Sequence, residues 1–213
     1  MLNINELKQK YISILKLIKR ENCDIQGLVN WLEQSGFFVS PATTQYHDSE
    51  PGGLCNHSLK VYENLHTLAS LFTFSKYSQD TEIILGLLHD IYRCQMYEPA
   101  VINEKIRNPQ GKNVDSLGRF DYQSKQIYKT KYAIDRESFG NIPFNTYYKV
   151  AEFIPLTTEE VSALMSYDCG MASGYANSEI YIPLTNCPLV VLLHCADMLA
   201  SYLPKETASE QTY

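Results

Sequence analysis

The carboxylate of Asp197 is predicted to lie on the buried face of a helix. Helical periodicity runs from Pro188 to Leu203, with proline in the first turn. Within it, Val190, Leu193 and Asp197 recur at i, i+3 and i+7, so Asp197 points in the same direction as the apolar stripe. Burying an unpaired carboxylate costs several kcal/mol. Asp197 therefore requires a cation, a hydrogen-bond donor or a raised pKa.

Two histidines and a second carboxylate are predicted to point inward from other helices. His57 lies four residues before an apolar core position, and the pair His89-Asp90 follows the apolar run IILGLL. Two neutral nitrogens and two anionic oxygens suit one divalent transition metal (Mn, Fe, Co, Ni or Zn, with Mg as an alternative) better than Ca. Each residue taken singly is more often a structural core group, and His194 with Asp197 can form a hydrogen bond of their own. Their coincidence on three helices favours a metal site.

Helices are predicted to position these residues. Apolar residues recur with helical spacing over residues 4–18, 24–36, 53–72, 80–91, 147–153, 157–165 and 188–203. Asp24 is a predicted N-cap, and Thr157 with Glu160 a predicted capping box. Between 99 and 143 the periodicity weakens, and loose alternation over 120–134 predicts a small irregular or hairpin insertion. We expect a single, mostly helical domain over 1–213, with N-terminal helices in 1–36.

Composition and charge restrict the function classes. Eighteen basic against twenty-four acidic residues give a formal charge of -6, which disfavours binding to long duplex nucleic acid. The six cysteines are scattered and form no C-x-x-C pair, and the N-terminal residues lack the apolar core of a signal peptide. The longest apolar stretch, Pro188–Leu193, is far shorter than the roughly 20 residues of a membrane span. The sequence predicts a reduced, cytoplasmic protein without a membrane segment.

Three motifs in order resemble the H…HD…D signature of the HD-domain metal-dependent phosphohydrolases. They are GGLCNHSL around His57, GLLHDIYR around His89-Asp90, and PLVVLLHCADMLASYL around Asp197. The closer likeness is to stand-alone bacterial and phage HD proteins and to the catalytic domain of the 3′ to 5′ exoribonucleases of Gram-positive bacteria. These share the run WLEQSGFF…PATTQYH…GGL, and the resemblance covers the chain from about Trp31 to Tyr202.

The resemblance implies an all-α, HD-domain-like helical bundle in which His57, His89, Asp90 and Asp197 bind one divalent metal. In such proteins the metal lowers the pKa of a bound water that attacks phosphorus. The implied reaction is hydrolysis of a phosphoester in a nucleotide or a short single-stranded nucleic acid, with Asp90 and Arg93 as catalytic residues. Arg93 either binds a substrate phosphate bidentately or is a solvated helix end.

Departures from the family pattern leave further alternatives open. Relatives that bind two metals carry two more histidines, where this chain has Asn141 or Ile142 and then Asp168. Asp168 is either an additional ligand or a helix-end residue, and one metal is predicted rather than two. His47 either contacts substrate or is an inert surface histidine. The alternative functions are a catalytically silent HD module that binds a nucleotide or a protein partner, and a structural domain with a metal-free polar core.

Overall fold

Helices form most of the chain that the computed structural model describes, which comprises residues 2–72, 77–131, 142–168 and 185–203. In chain order the helices are α1 (Ile4–Leu15), α2 (Ile25–Gln34), α3 (Gly53–Leu71), α4 (Gln79–Leu88), α5 (Ile142–Ala151), α6 (Thr158–Ser166) and α7 (Pro188–Tyr202). Short 3-10 helices follow α2 at Phe37–Val39 and α4 at Ile91–Gln95. Within these ranges, no helix is both long enough and apolar enough to cross a membrane.

The predicted caps of α2 and α6 and the proline in the first turn of α7 are confirmed, whereas α5 begins at Ile142 and not at the predicted Tyr147. The side chain of Asp24 accepts a hydrogen bond of 2.8 Å from the backbone N–H of Gly27. Thr157 and Glu160 form the reciprocal capping box at the start of α6, and Pro188 occupies the first turn of α7. The side-chain caps accept hydrogen bonds from backbone N–H groups that the first helical turn leaves unpaired. Proline has no N–H and therefore needs no acceptor in that turn.

The prediction of an all-α fold is wrong, because residues 97–130 form a three-stranded antiparallel sheet. Its strands are β1 (Tyr97–Arg107), β2 (Asn113–Asp115) and β3 (Gly118–Thr130), in the spatial order β1-β3-β2. β1 pairs with β3 without interruption from Tyr97↔Thr130 to Arg107↔Phe120. The protein is therefore a mixed α and β structure.

The insertion predicted over 99–143 contains this sheet, although its strands differ from the prediction. The segment expected to form a hairpin by itself, 120–134, supplies a single strand as far as Thr130, whose partner is the preceding β1. The periodicity was weak because most residues of β1 and β3 are exposed on either face, so apolar and polar residues do not alternate cleanly. Residues 132–141 of the predicted insertion lie outside the described residues.

Two hydrophobic clusters form the core, and α3 contributes to both. The first is built mainly by α1, α2 and α4, and the second mainly by α6 and α7. Representative buried members are Tyr11, Leu32 and Leu87 in the first cluster, and Leu65, Leu164 and Leu193 in the second. Because α3 packs against both α4 and α7, its buried side chains, including His57, are fixed by neighbours on two sides.

Candidate metal centre

His57, His89 and Asp197 converge on one buried point. His57 Nε2 lies 3.0 Å from Asp197 Oδ1, and His89 Nε2 lies 4.0 Å from the same oxygen. The two imidazole ring centres are 5.4 Å apart. One candidate ligand atom from each of the three residues lies within 4.8 Å of the others. The side chains come from α3, from the C-terminal end of α4 and from α7, so three packed helices bring them together.

The hydrogen bonding of His89 leaves one ring nitrogen available as a ligand. His89 is fully buried, and its Nδ1 lies 3.1 Å from the carbonyl oxygen of Gly86. A carbonyl only accepts, so we assign the proton to Nδ1 and a lone pair to Nε2. Nε2 has no hydrogen-bond partner in the described part of the chain. Burial lowers the pKa of His89, which favours the neutral ring that binds metals.

Asp197 supplies the anionic oxygen of the group. Burial by itself raises the pKa of Asp197, but the hydrogen bond from His57 and the proximity of His89 lower that pKa to a greater extent. The net effect favours the carboxylate. Its Oδ1 also lies 3.5 Å from the hydroxyl of Ser201, one helical turn further along α7. A carboxylate with two imidazoles is a common donor set for divalent transition metals.

Asp90 lies beside this group with both carboxylate oxygens already hydrogen-bonded. Its Oδ2 is 3.7 Å from His89 Nε2 and accepts a 2.7 Å hydrogen bond from Arg93 Nε. Its Oδ1 accepts a 2.5 Å hydrogen bond from the hydroxyl of Tyr167. Burial raises the pKa of Asp90, but Arg93 and His89 lower it more strongly. Asp90 is thus a buried anion that can contribute a fourth ligand only through oxygens shared with these donors.

His47 and Asp168 differ in their relation to the three converging residues. The ring of His47 lies 5.1 Å from that of His57, and its Nε2 is 3.3 Å from the Ser201 hydroxyl. Burial and the neighbouring His57 lower the pKa of His47. Asp168 is exposed just beyond α6 and contributes no atom to the converging group, although desolvation and Asp90 raise its pKa. Asn141 lies outside the described residues.

Tyr167 and Ser201 are site residues that sequence reasoning missed. Tyr167 is buried, and its ring packs edge-on against His89 at 5.2 Å. The one available signal is that it continues the buried face of Ala163 and Leu164 beyond the end of α6. The backbone oxygen of Tyr167 lies 2.7 Å from Nδ1 of His194, the residue predicted as an alternative hydrogen-bond partner for Asp197.

A cavity of about 530 Å³ adjoins the site on the side of His47 and Ser201. Its other polar lining residues include Asp48, Asn56 and Lys60. Lys60 donates to both oxygens of Asp48, at 2.8 and 2.7 Å, and Asn56 donates to one of them at 2.6 Å. The volume is within the range of small-ligand sites, roughly 300–1,000 Å³. The candidate ligands do not line this cavity themselves, but His47 and Ser201 do, and these two residues contact His57 and Asp197 respectively.

The residues present fit a divalent metal. The buried Nε2 of His89 has no partner within the described ranges, and the donor set combines imidazole nitrogen with carboxylate oxygen. His57, His89 and Asp197 would hold the ion, with Asp90 beside them. Comparison of the chain with protein-family models, curated proteins and solved structures finds no match.

Proposed function

We propose that this chain is a metal-dependent phosphohydrolase that acts on a phosphoester of a nucleotide or a short single-stranded oligonucleotide. The proposal rests on the unpartnered Nε2 of His89, which lies among the other candidate ligand atoms. A buried nitrogen without a partner costs about 1–3 kcal/mol, and coordination of a cation removes that cost. The resemblance of the three motifs to those of HD-domain phosphohydrolases supports the same reaction.

The side chains around the site suit hydrolysis of a phosphoester. A bound divalent metal supplies Lewis-acid activation of the phosphoester and of water. Arg93 uses Nε to bind Asp90, which leaves the N–H groups at the tip of its guanidinium for phosphate oxygens. Asp90 in turn holds Arg93 in a fixed orientation. His47 lies between the ligand group and the cavity, where it can contact the substrate.

The cavity and the net charge favour a small substrate. A space of about 530 Å³ accommodates one nucleotide more readily than a folded nucleic acid. Glu50 and the ion pair of Asp48 with Lys60 line it, and the chain carries a formal charge of -6. Because this balance of charge is negative, it disfavours a polyanion inside the cavity, and we place the nucleoside there with the phosphate beside Arg93.

Elemental analysis of the purified protein tests the metal site. About one transition metal per chain is expected in the wild type and in Asp168→Ala, and none in Asp197→Ala. Asp168→Ala is the matched control because that carboxylate is exposed and outside the converging group. Two ions per chain, one of them lost in Asp168→Ala, would contradict the one-metal site. Absence of metal from the wild type after incubation with Mn²⁺ or Fe²⁺ would overturn the hydrolase proposal.

A second candidate is a catalytically silent module that binds a nucleotide or a protein partner. Both oxygens of Asp90 are already held by Arg93 and Tyr167, which favours a static polar network over a reactive one. An assay for hydrolysis of bis(p-nitrophenyl) phosphate and of nucleotides, run with Mn²⁺, Mg²⁺, Co²⁺, Ni²⁺ and Fe²⁺ in turn, distinguishes the two functions. Hydrolysis that is lost in Asp197→Ala supports the enzyme. Nucleotide binding without turnover under every metal supports the silent module.

A further inference from the structure

The sheet is a β arm, residues 97–130, that is attached to the helices at its base. There, the hydroxyl of Tyr97 donates to the carbonyl of Ala42, and that of Tyr128 donates to the carbonyl of Val39. Beyond the base, every residue from Val101 to Arg107 is exposed. A sheet of three strands ordinarily needs a covered face or additional strands for its stability. In the outer half of the β arm, Phe120 is buried beneath Lys105 and Arg107, but the remaining strand residues have no such cover within the described ranges.

The described part of the arm has two unpaired backbone edges: the outer edge of β1, and the edge of β3 beyond its short pairing with β2. In the order β1-β3-β2, β1 is an edge strand, and it pairs on one side only within the described residues. It is 11 residues long and has no bulge against β3, and beyond Pro99, which lacks an N–H, its edge is regular over the eight residues from Ala100 to Arg107, about 27 Å. Natural proteins usually interrupt such an edge, because its free N–H and C=O groups form a template for another strand.

We propose that β1 pairs antiparallel with β1 of a second copy of this chain, around a two-fold axis at Asn103. A two-fold axis perpendicular to the sheet makes the residue on the axis face its own copy. An axis at Glu104 would oppose two carboxylates. An axis at Ile102 would engage Tyr97 and Glu98, whose side chains already bind Ala42 and Lys129. With the axis at Asn103, the paired segment is Pro99–Arg107, in which every residue except Ala100 is exposed.

The charges of β1 are compatible with this register. The strand contains two acidic and two basic residues and is neutral overall, so two copies do not repel each other. In the register centred on Asn103, Glu104 faces Ile102 of the second copy, Lys105 faces Val101, and Arg107 faces Pro99. Each charge opposes an uncharged side chain, and Glu104 is also neutralised by Lys125 of its own chain at 3.2 Å. The resulting sheet has six strands.

Cross-linking tests the register. In an antiparallel pair, opposite Cα atoms lie about 4.5–5.5 Å apart, within the range that a disulfide spans. Asn103→Cys is therefore expected to give a covalent dimer after mild oxidation. Val101→Cys is the matched control, because the two copies of position 101 would lie more than about 13 Å apart. The wild type, with its exposed Cys195, provides the background. Equal cross-linking of the two variants would overturn the proposed register.

Sedimentation velocity tests the association itself. The wild type is expected to sediment with twice the chain mass of 24.4 kDa at micromolar concentration. Ile102→Glu places a carboxylate against Glu104 of the other copy at two symmetric positions and should weaken association about tenfold. Val114→Glu, on the opposite edge strand, should leave it unchanged. Circular dichroism confirms that both variants fold. A monomeric wild type, or equal weakening by both variants, would overturn the proposal, whatever the activity of the metal site.

Discussion

His57 Nε2 lies 3.0 Å from Asp197 Oδ1, although the two residues belong to different helices, α3 and α7. At this distance a proton on Nε2 makes a hydrogen bond, whereas a lone pair on Nε2 makes the two atoms neighbouring ligands of one cation. The same geometry therefore serves the metal-free and the metal-bound protein. Binding of a cation to Nε2 of His57 displaces the proton from that nitrogen. A substitution that keeps the hydrogen bond but removes the negative charge of Asp197 therefore distinguishes the metal-free from the metal-bound protein.

Asp197→Asn is such a substitution. The amide oxygen can still accept from His57, so the free energy of unfolding in the presence of a chelator should change by less than about 1 kcal/mol. Affinity for Mn²⁺ or Zn²⁺ should fall at least about tenfold, because an anionic ligand is lost. Calorimetric titration and urea unfolding measure the two quantities. Unchanged metal affinity would show that Asp197 is a structural group.

Tyr167→Phe tests whether the partner of Asp90 tunes the site. Loss of the 2.5 Å hydrogen bond to Asp90 should weaken metal binding by about ten- to hundredfold, the usual effect of removing a group that orients a ligand. Tyr11→Phe is the control, because its buried hydroxyl donates to the carbonyl of Leu87 in the other hydrophobic cluster. Both variants should lose stability, but Tyr11→Phe should retain the wild-type affinity. Equal affinities in the two variants would contradict a role for Tyr167.

Helical periodicity places the main site residues but not their partners. His57 and Asp197 are predictable because each occupies an apolar position of a strongly periodic segment, and a local pattern suffices to show this. Tyr167 is not predictable in this way, because its partner Asp90 is remote in the sequence and an inward-facing tyrosine is ordinarily a packing residue. Its contact depends on how α6 docks against the end of α4, which no local pattern specifies.

The β arm is predicted only in part, for a different physical reason. Periodicity reports burial on one face, and the outer part of β1 has no buried face, so its strand character depends on pairing with β3 alone. Cross-strand pairs such as Glu104 with Lys125 become recognisable only after the register is known. The sequence therefore indicates an irregular or hairpin insertion there, but neither the strand β1 nor the three-stranded sheet.

Arg20→Met tests the ion pair that joins the N-terminal region to α6. Arg20 contacts both oxygens of the fully buried Glu160 at 2.6 Å. Removing the cation leaves a buried carboxylate without its counter-ion, which should lower the free energy of unfolding by about 3–5 kcal/mol. Lys10→Met removes an exposed ion pair with Glu63 and should cost less than about 1 kcal/mol. Urea unfolding at neutral pH measures both, and similar losses would contradict the argument.

Glu160 should also make stability depend on pH. Burial raises its pKa, but hydrogen bonds from Arg20, the backbone of Thr157 and Thr81 lower it below the ordinary value of 4.5. When the pKa of a carboxyl group is lower in the folded than in the unfolded state, its ionised form stabilises the fold at pH values above the unfolded-state pKa. This stabilisation is lost as the pH falls through the folded-state pKa. The stability advantage of wild type over Glu160→Gln should therefore shrink as the pH falls below 4.5. An advantage independent of pH would mean that the ionised form is not what stabilises the fold.

Thr146→Val should stabilise the protein, in contrast to the same substitution at Thr81. Thr146 is fully buried in α5, and its hydroxyl has no hydrogen-bond partner in the described part of the chain. An unsatisfied buried hydroxyl is costly, so its replacement by a methyl group should raise the free energy of unfolding by about 1 kcal/mol. Thr81→Val is the matched control, because the Thr81 hydroxyl donates to Glu160 at 2.8 Å. The control should lose about 1.5–3 kcal/mol, since hydrogen bonds to charged groups are the stronger ones. Thermal and urea unfolding give both values, and a loss at Thr146 equal to that at Thr81 would show that the Thr146 hydroxyl is satisfied in solution.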